Sequence, residues 1–393
     1  MGQKNNVYLN DVGVLCAIAS DKAALTEALI NEHGHNMVWT DAYGTEAIPV
    51  GKCQQPLPEI PLKNASWQSR NNQIALAVYQ QIQSQVEAAI NEFGADRVGV
   101  IIGTSTSGIG DAEPAMKAYV ESGSLPDGYH YNVQEMANTA EFIATVAGIS
   151  GPVYGISTAC SSGAKALASA KRLITAGICD VVIAGGVDSL CKLTLQGFSA
   201  LEAVSNEACL PFSKNRRGIN IGEAGALFIV SKKPIGVSLL GVGESSDAHH
   251  ISAPHPEGNG AEQSMRLAIA DAGLSELDID YVNLHGTATE LNDQMESMAI
   301  DRVFPNGVFC SSTKSITGHT LGAAGALEAV ICWISVTEPN LMPKHIWDEV
   351  ADPDLPVLKF VKSSKAESSV NYALSNSFAF GGNNMSLILA RLT

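Results

Sequence analysis

The chain has 393 residues, of which 46% are hydrophobic and 16% are charged. A chain of this length can bury a large core and can form two domains or one large unit. The formal net charge of −16 argues against nonspecific nucleic-acid binding, because phosphates repel an acidic surface. We expect a soluble cytoplasmic protein, because no apolar run reaches the length of a membrane span and residues 1–9 contain no signal-peptide core.

Eight cysteines and nine histidines are spread along the chain without the spacing of a disulfide framework or a zinc site. The closest group of histidines, His249, His250 and His255, lacks a helical ligand spacing with an acidic partner. We therefore expect neither disulfides nor a resident metal.

The first part of the chain alternates apolar runs with helical patterns. Ser20 is expected to cap the first helix, and residues 39–64, with four prolines and no period, predict a surface loop. Residues 104–110 predict a loop that binds no nucleotide, because its glycines lack the strand-to-helix context of a phosphate-binding loop. Residues 111–147 contain helical pieces that cap a site. Strands are predicted over 7–14, 97–103, 153–156, 181–185 and 226–231, and helices over 21–32, 67–93 and 164–176.

Cys160 lies on the turn between the predicted strand 153–156 and an alanine-rich helix. Small residues on both sides allow a tight bend, and the free N–H groups at the start of the helix point toward the turn. Helix N-termini lower the pKa of a cysteine from roughly 8.5, so the turn favours a nucleophilic thiolate. The other interpretation is a small buried hydrophobic residue.

After Pro234 the pattern of the first part begins again. Strands are predicted over 237–243, 279–284, 308–310, 370–375 and 385–389, and helices over 260–272, 293–303 and 321–336. The alanine-rich helix after His319 is the counterpart of the helix after Cys160. We predict an α/β protein with an internal duplication of two halves, 1–233 and 234–393, packed as five αβαβα layers around the two alanine-rich helices.

Three stretches of the second half add candidate functional residues. His285 follows a predicted strand, at the end where α/β sheets bind ligands, and Lys314 and His319 lie on the loop before the second alanine-rich helix. Residues 376–384 form an aromatic and glycine-rich turn. Each stretch alone also has a structural interpretation, as a hydrogen-bonded polar residue or an ordinary turn.

Together these motifs resemble the elongating β-ketoacyl-acyl carrier protein synthases, which have the thiolase fold. The similarity covers nearly the whole chain, and the motifs occur in the order of the family. The matching stretches are Ser157–Ser162, His285–Thr289, Lys314–His319 and Phe378–Gly382.

The resemblance implies a decarboxylative Claisen condensation. Cys160 would take the acyl group from a carrier thioester, and the backbone N–H groups of Cys160 and Phe380 would form an oxyanion hole. A malonyl group on a second carrier would lose carbon dioxide while neutral His285 and His319 hold the thioester oxygen. The new carbanion would then attack the acyl-cysteine.

Other residues receive supporting roles from the same resemblance. Lys314, paired with Glu328, would orient the loop and neighbouring charges, although a plain structural ion pair is the alternative. The substrate-binding residues implied by the family motifs are Thr287, Thr289, Phe378, Phe380 and Gly381, with the two threonines on the phosphopantetheine arm and Phe380 as a gate over the cysteine. No further cofactor is expected, since the substrates are carried on phosphopantetheine.

Two comparisons within the superfamily favour the elongating class. Thiolases have a second cysteine near the C-terminus, where this chain has none, and initiating synthases have an asparagine in place of His319. The chain departs from the family pattern at Arg217, Glu290 and residues 224–226, and its connection over 232–238 is shorter. These differences leave open a specialised pathway, such as synthesis of polyene-type acyl chains.

The resemblance implies acyl carrier protein in its acyl and malonyl forms as the partner. A homodimer paired through the strand 181–185 is expected, and a heterodimer with a related subunit is the alternative. The alternatives for function are a noncatalytic chain-length or scaffold subunit and a condensing enzyme that uses acyl-coenzyme A. Basic residues proposed to dock the acidic carrier are Lys63, Arg70, Lys214, Arg216 and Arg217.

Overall fold

The structure is a computed structural model that describes residues 6–32, 34–44 and 46–392. Residues 1–5, which belong to the N-terminal stretch predicted to contain no signal-peptide core, lie outside the described residues. The strands are β1 (Tyr8–Leu15), β2 (Val38–Thr40), β3 (Ile48–Val50), β4 (Val98–Gly103), β5 (Val153–Ile156), β6 (Val181–Asp188), β7 (Ala224–Ser231), β8 (Val237–Ser246), β9 (Tyr281–Asn283), β10 (Phe309–Ser311), β11 (Lys359–Phe360), β12 (Tyr372–Phe378) and β13 (Asn383–Arg391). The helices are α1 (Lys22–Ile30), α2 (Arg70–Phe93), α3 (Ile109–Ser122), α4 (Asn138–Ala147), α5 (Ser162–Thr175), α6 (Lys192–Ala200), α7 (Asn259–Ala272), α8 (Glu290–Val303), α9 (Lys314–Thr317) and α10 (Ala324–Thr337).

The two halves of the chain repeat one strand arrangement. In the first half the spatial order is β5-β4-β6-β7-β1, and in the second half it is β10-β9-β12-β13-β8, with β11 added at the edge. When the separate hairpin β2-β3 and the edge strand β11 are left out and the five remaining strands of each half are numbered along the chain, both orders read third, second, fourth, fifth, first. Parallel and antiparallel pairings also match in the two halves. The predicted internal duplication is therefore confirmed.

Five layers follow from the packing of helices on these strands. Helices α5 and α10 contact each other and the strands of both halves, so they form the middle layer. Helices α2 and α4 cover the outer face of the first half, while α7 packs on β8 and β13 of the second half with α8 beside it. The largest apolar cluster contains the buried faces of α5 and α10, as expected for helices apolar on most sides. The predicted αβαβα architecture is confirmed.

The duplication also explains why the two alanine-rich helices carry functional loops. In each half the loop after the third strand leads into a middle-layer helix, which places Cys160 before α5 and His319 before α10. His285 follows β9, the second strand of its half. Parallel strands with adjacent positions end at one edge of a sheet, so these loops meet.

Several local predictions were wrong. Residues 39–64 are not only loop, because β2 and β3 form a hairpin. Asp21 caps α1 by accepting a hydrogen bond from the amide of Ala24, so Ser20 is not the capping residue. Helix α6 was not predicted; Leu195 is its buried residue, and so little apolar surface gives a weak periodic signal.

The loop at 104–110 does lie between a strand, β4, and a helix, α3, contrary to the sequence prediction. Its amides are already bound by protein, because the Asp188 carboxylate accepts hydrogen bonds from the N–H groups of Ser105 (2.8 Å) and Thr106 (2.9 Å). A buried carboxylate thus occupies the place that an anionic ligand would need.

The predicted edge strand was also wrong. Strand β6 lies between β4 and β7, so neither of its sides is free for pairing with a second chain. The free edge of the first half belongs to β5, whose four residues are all partly exposed. Among the residues described, no helix is both long and apolar enough to cross a bilayer.

Candidate active site

Cys160 lies on a strained turn between β5 and α5. Ala159 adopts φ of 52°, a left-handed conformation that costs energy for a residue with a Cβ. The hydroxyl of Ser162 accepts a hydrogen bond from the amide of Thr158 (2.8 Å), and this bond across the turn fixes its shape. Cys160 is buried, with 4% of its surface exposed. The turn therefore presents the sulfur at one defined position.

Two histidines from the second half meet this sulfur. The Nε2 atom of His319 lies 3.0 Å from the Sγ atom of Cys160. The His285 ring stands edge-on to the His319 ring, with 5.3 Å between the ring centroids. Cys160, His285 and His319, hereafter the triad, are thus brought together from both halves, as the sequence predicted.

Burial controls the protonation of the triad. Desolvation raises the pKa of the Cys160 thiol to about 12, although Lys314 and the backbone N–H of Phe380 oppose the shift. This direction disagrees with the predicted thiolate, because loss of hydration disfavours the charged form of a buried thiol. Burial, followed by the charge of Lys314, also holds the pKa values of His285 and His319 well below 6.5. The triad rests as a neutral thiol beside two neutral imidazoles.

Lys314 joins the triad to the middle layer. Its ammonium group is buried, forms an ion pair with Glu328 of α10, and donates to the carbonyl oxygen of His285. The same nitrogen lies 3.4 Å from Nδ1 of His285. An ammonium group can only donate, so this contact favours the His285 tautomer that carries its proton on Nε2. Burial raises the pKa of Glu328 to about 7.

The triad opens into a cavity of about 440 Å³. Thr287, Thr289, Phe378 and Phe380 line it, and the ring of Phe380 packs against that of Phe198 at 5.3 Å between centroids. Gly381 does not line the cavity; its N–H donates to the carbonyl of Ile251, which anchors the glycine turn. Thr287 and Thr289 bond each other through their hydroxyl groups (2.9 Å).

Two buried acids at the site were not predicted. Glu296 of α8 accepts hydrogen bonds from the amides of His285 (2.8 Å) and Gly286 (2.7 Å), and Asp293 accepts from the amides of Phe212 and Ala288. Burial raises the pKa of Glu296 to about 7 and that of Asp293 to about 6. These carboxylates fix the backbone that carries His285. The sequence did contain a signal for these two acids, because both lie on one side of the helix that follows the His-Gly-Thr motif.

His345 is a second unpredicted residue that holds the site loops. Its Nδ1 accepts from the amide of Ser312 (3.1 Å), and its Nε2 donates to the carbonyl of Pro211 (3.1 Å). The ring stacks on Phe360 at 4.2 Å, and burial lowers its pKa to about 4. Its sequence neighbourhood carries no motif, so no signal in the sequence indicated this role.

The basic residues predicted to dock the carrier protein are not all free to do so. Arg70 is bound by the buried carboxylate of Glu223 (Nε to Oε2, 2.8 Å), and Arg216 is paired with Asp352 (2.5 Å). Both guanidinium groups therefore form ion pairs within the chain, so neither is available to bind the carrier protein. Arg217 is exposed at the mouth of the cavity, while Lys63 and Lys214 are exposed elsewhere on the surface.

Family models match most of the chain. Residues 31–234 match the N-terminal domain of beta-ketoacyl synthases, and residues 237–346 match the C-terminal domain. The chain belongs to the β-ketoacyl synthase family. It is an acyltransferase that forms β-ketoacyl products by decarboxylative condensation, as the motifs predicted.

Similar proteins span the full length of the chain. Nodulation protein E of Rhizobium meliloti (strain 1021) is 33% identical, with 96% of this chain and 97% of that protein covered. The 3-oxoacyl-[acyl-carrier-protein] synthase 2 of Staphylococcus aureus (strain COL) is 32% identical over 100% of this chain and 99% of its own. The solved complex of the ketosynthase ApeO with its chain length factor ApeC from Xenorhabdus doucetiae contains a chain 41% identical, with a TM-score of 0.94 and 100% and 99% of the two chains covered.

Proposed function

We propose that this chain is the catalytic ketosynthase that elongates an acyl chain carried by acyl carrier protein, with Cys160 as the nucleophile. The observation that carries the proposal is the grouping of the triad at a cavity, with Nε2 of His319 at 3.0 Å from the sulfur. A nucleophile within hydrogen-bonding distance of a base is the arrangement that covalent catalysis requires.

In the first step the Cys160 sulfur attacks the acyl thioester. Because the thiol is neutral at rest, its proton moves to Nε2 of His319 as the carbon–sulfur bond forms. The proton then passes to the departing phosphopantetheine sulfur, which leaves as a thiol. Nδ1 of His319 has no hydrogen-bond partner among the described residues, so the ring is free to use either tautomer. The N–H groups of Cys160 and Phe380 stabilise the oxyanion.

In the second step a malonyl thioester enters the same cavity. The neutral rings of His285 and His319 donate Nε2–H to its thioester oxygen while carbon dioxide leaves and an enolate forms. The enolate carbon attacks the acyl-cysteine, the carbon–sulfur bond breaks, and the sulfur departs as a thiolate that takes up a proton from solvent. Two neutral donors in a buried site supply this stabilisation without a strong base. Lys314, held by Glu328, positions His285, and its charge adds to burial in keeping both imidazoles unprotonated.

The substrates are proposed to arrive on the phosphopantetheine arm of acyl carrier protein, and no further cofactor is required. Thr287 and Thr289 line the cavity and supply hydroxyl groups for the amides of the arm. The name of the Staphylococcus aureus relative supports the carrier, because that protein is a synthase of acyl-carrier-protein substrates. Exposed Arg217 at the mouth is the docking cation that we propose.

The partner that we propose is a related subunit paired through β5. The similar chain from Xenorhabdus doucetiae was solved in a complex of a ketosynthase with its chain length factor, which supports a heterodimer over the homodimer. The chain length factor in that complex, together with the departures at Arg217 and Glu290, supports a specialised product, such as a polyene-type chain, over housekeeping fatty acids. The scaffold alternative for this chain is disfavoured, because the triad is complete and open to the cavity.

The test uses purified chain, with and without its partner subunit, and acyl and radiolabelled malonyl carrier proteins of defined chain length. The proposal predicts release of carbon dioxide and a β-ketoacyl carrier product, both lost in Cys160→Ala. In His285→Ala, acylation of Cys160 should continue while decarboxylation falls by about 10²–10⁴-fold. Acylation from acyl-coenzyme A at a rate equal to that from the carrier, or no acylation at all, would contradict the proposal.

A further inference from the structure

The ligand atoms of the triad form a compact sulfur and nitrogen cluster. The Sγ atom of Cys160 and one ring nitrogen of each histidine all lie within 4.8 Å of one another. Within residues 6–32, 34–44 and 46–392, this is the one group of three His, Cys, Asp or Glu side chains with such geometry. We propose that the triad binds Zn²⁺, and that the ion inhibits the enzyme reversibly by occupying the nucleophile.

The donor set fits this ion. Zinc binds thiolate sulfur at about 2.3 Å and imidazole nitrogen at about 2.0–2.1 Å in a tetrahedron, which places neighbouring ligand atoms about 3.3–3.6 Å apart. His319 and Cys160 are already 3.0 Å apart, and the other ligand atoms lie within 4.8 Å of one another, so binding requires only small rotations of the side chains to shorten these separations. Three protein ligands leave one position for water, which the cavity supplies.

The protons balance within the site. The thiol of Cys160 gives up its proton to solvent when the sulfur binds the ion. Each imidazole binds through Nε2 and keeps its single proton on Nδ1. In His319 a proton on Nδ1 displaces no hydrogen-bond partner, because this atom has none in the described part of the chain.

Lys314 limits the affinity of the proposed site. Its ammonium group lies 3.4 Å from Nδ1 of His285, so it must withdraw when that nitrogen carries the proton. The same ammonium already contacts Glu328 and the carbonyl of His285, which hold it after the shift. The positive charge of Lys314 opposes the ion, so Zn²⁺ binds reversibly and does not serve as a resident cofactor.

A second histidine pair provides the matched control. His249 and His255 lie on a surface loop with 5.2 Å between their ring centroids. His249 is exposed and His255 is half-buried, and a surface pair of imidazoles without a thiolate binds divalent metals weakly. Hard cations such as Mg²⁺ prefer oxygen ligands and should not bind the triad.

The test titrates the metal-free full chain with Co²⁺, a spectroscopic substitute for zinc, and follows the thiolate-to-cobalt charge-transfer band. The band should appear in the native chain and in His255→Ala. It should be absent in Cys160→Ala and weakened in His319→Ala, with circular dichroism showing that both variants fold. Retention of the band in Cys160→Ala, or its loss in His255→Ala, would overturn the proposal.

A second readout is alkylation of Cys160 by iodoacetamide, quantified by peptide mass spectrometry. Zinc at ten times its dissociation constant should slow alkylation by about tenfold, Mg²⁺ should have no effect, and a chelator should restore the rate. Unchanged alkylation in saturating Zn²⁺ contradicts the site. Neither readout requires condensation activity, so failure of the zinc proposal and failure of the proposed function are distinguishable.

Discussion

Burial is the largest influence on the protonation of the three side chains of the triad. The same loss of hydration raises the pKa of Cys160 and lowers those of His285 and His319. All three groups therefore favour their uncharged forms near neutral pH. A neutral thiol needs a base at the moment of attack, and neutral imidazoles can donate hydrogen bonds to a developing enolate.

The charge of Lys314 makes a testable contribution to this balance. Lys314→Met removes a cation that lowers the pKa values of both histidines. The acidic limb of the kcat/KM profile should therefore move to higher pH, since the imidazoles then protonate more readily. The profile is measured between about pH 5 and pH 8. Lys117→Met, on an exposed lysine, is the control; an unshifted limb in Lys314→Met would exclude this electrostatic role.

At the scale of elements, periodic apolar runs predicted nearly all the strands and helices that hold the site. The alanine-rich helices were recognisable because both are apolar on most sides, and they form the middle layer. The order of the strands could not be predicted, because the apolar sequence at 181–185 suits a central strand and an edge strand equally well. The raised pKa of Cys160 and the bridge made by His345 depend on residues distant in sequence.

Close packing of α5 against α10 depends on Gly163. A Cβ at this position would lie 2.9 Å from the backbone nitrogen of Ala326 and 2.9 Å from the carbonyl oxygen of Gly322. Gly163→Ala should therefore lower the free energy of unfolding by about 1–3 kcal/mol, measured by urea denaturation. The matched control is Gly197→Ala in α6, which has open space and should stabilise the helix by about 0.5–1 kcal/mol. Equal effects would contradict the packing argument.

His345 should make stability dependent on pH. Its pKa falls from 6.5 in the unfolded chain to about 4 in the folded chain. The unfolded chain therefore binds more protons between these two pH values. The contribution of His345 to the free energy of unfolding is fully present above pH 6.5 and is lost as the pH falls toward 4. The loss amounts to about 3 kcal/mol.

The measurement is the urea midpoint at several pH values for the native chain and His345→Phe. The variant should be less stable at neutral pH, because the Ser312 amide and Pro211 carbonyl lose their partner. Its stability should fall less between pH 6.5 and 4. Parallel curves for the two proteins would refute the assignment to His345.

At the scale of the whole molecule, duplication explains how one cavity collects a sulfur from one half and two imidazoles from the other. The loops occupy equivalent places after the strands of each half, so the shared middle layer brings them together. The family motifs predicted this meeting, and the structure supplies the distances. The same architecture leaves β5 with a free edge.

We predict that exposed apolar side chains on α3 add a second contact surface for the proposed partner. Val120 is 83% exposed, and Met116 and Tyr119 are exposed on the same helix; a contiguous apolar patch is typical of a protein interface. Val120→Glu should weaken association by at least about tenfold, measured by analytical ultracentrifugation with the partner subunit. Leu277→Glu, at an exposed apolar residue on another segment, is the control. Equal weakening by both variants would argue against this surface.

The central claim is that the buried sulfur of Cys160 carries the acyl group. The most direct measurement is peptide mass spectrometry after incubation with acyl carrier protein in the absence of malonyl carrier. The account predicts one acyl adduct, on the peptide containing Cys160, which disappears when malonyl carrier is added. An adduct on another cysteine, or an unmodified Cys160 in a chain that still forms product, would contradict it.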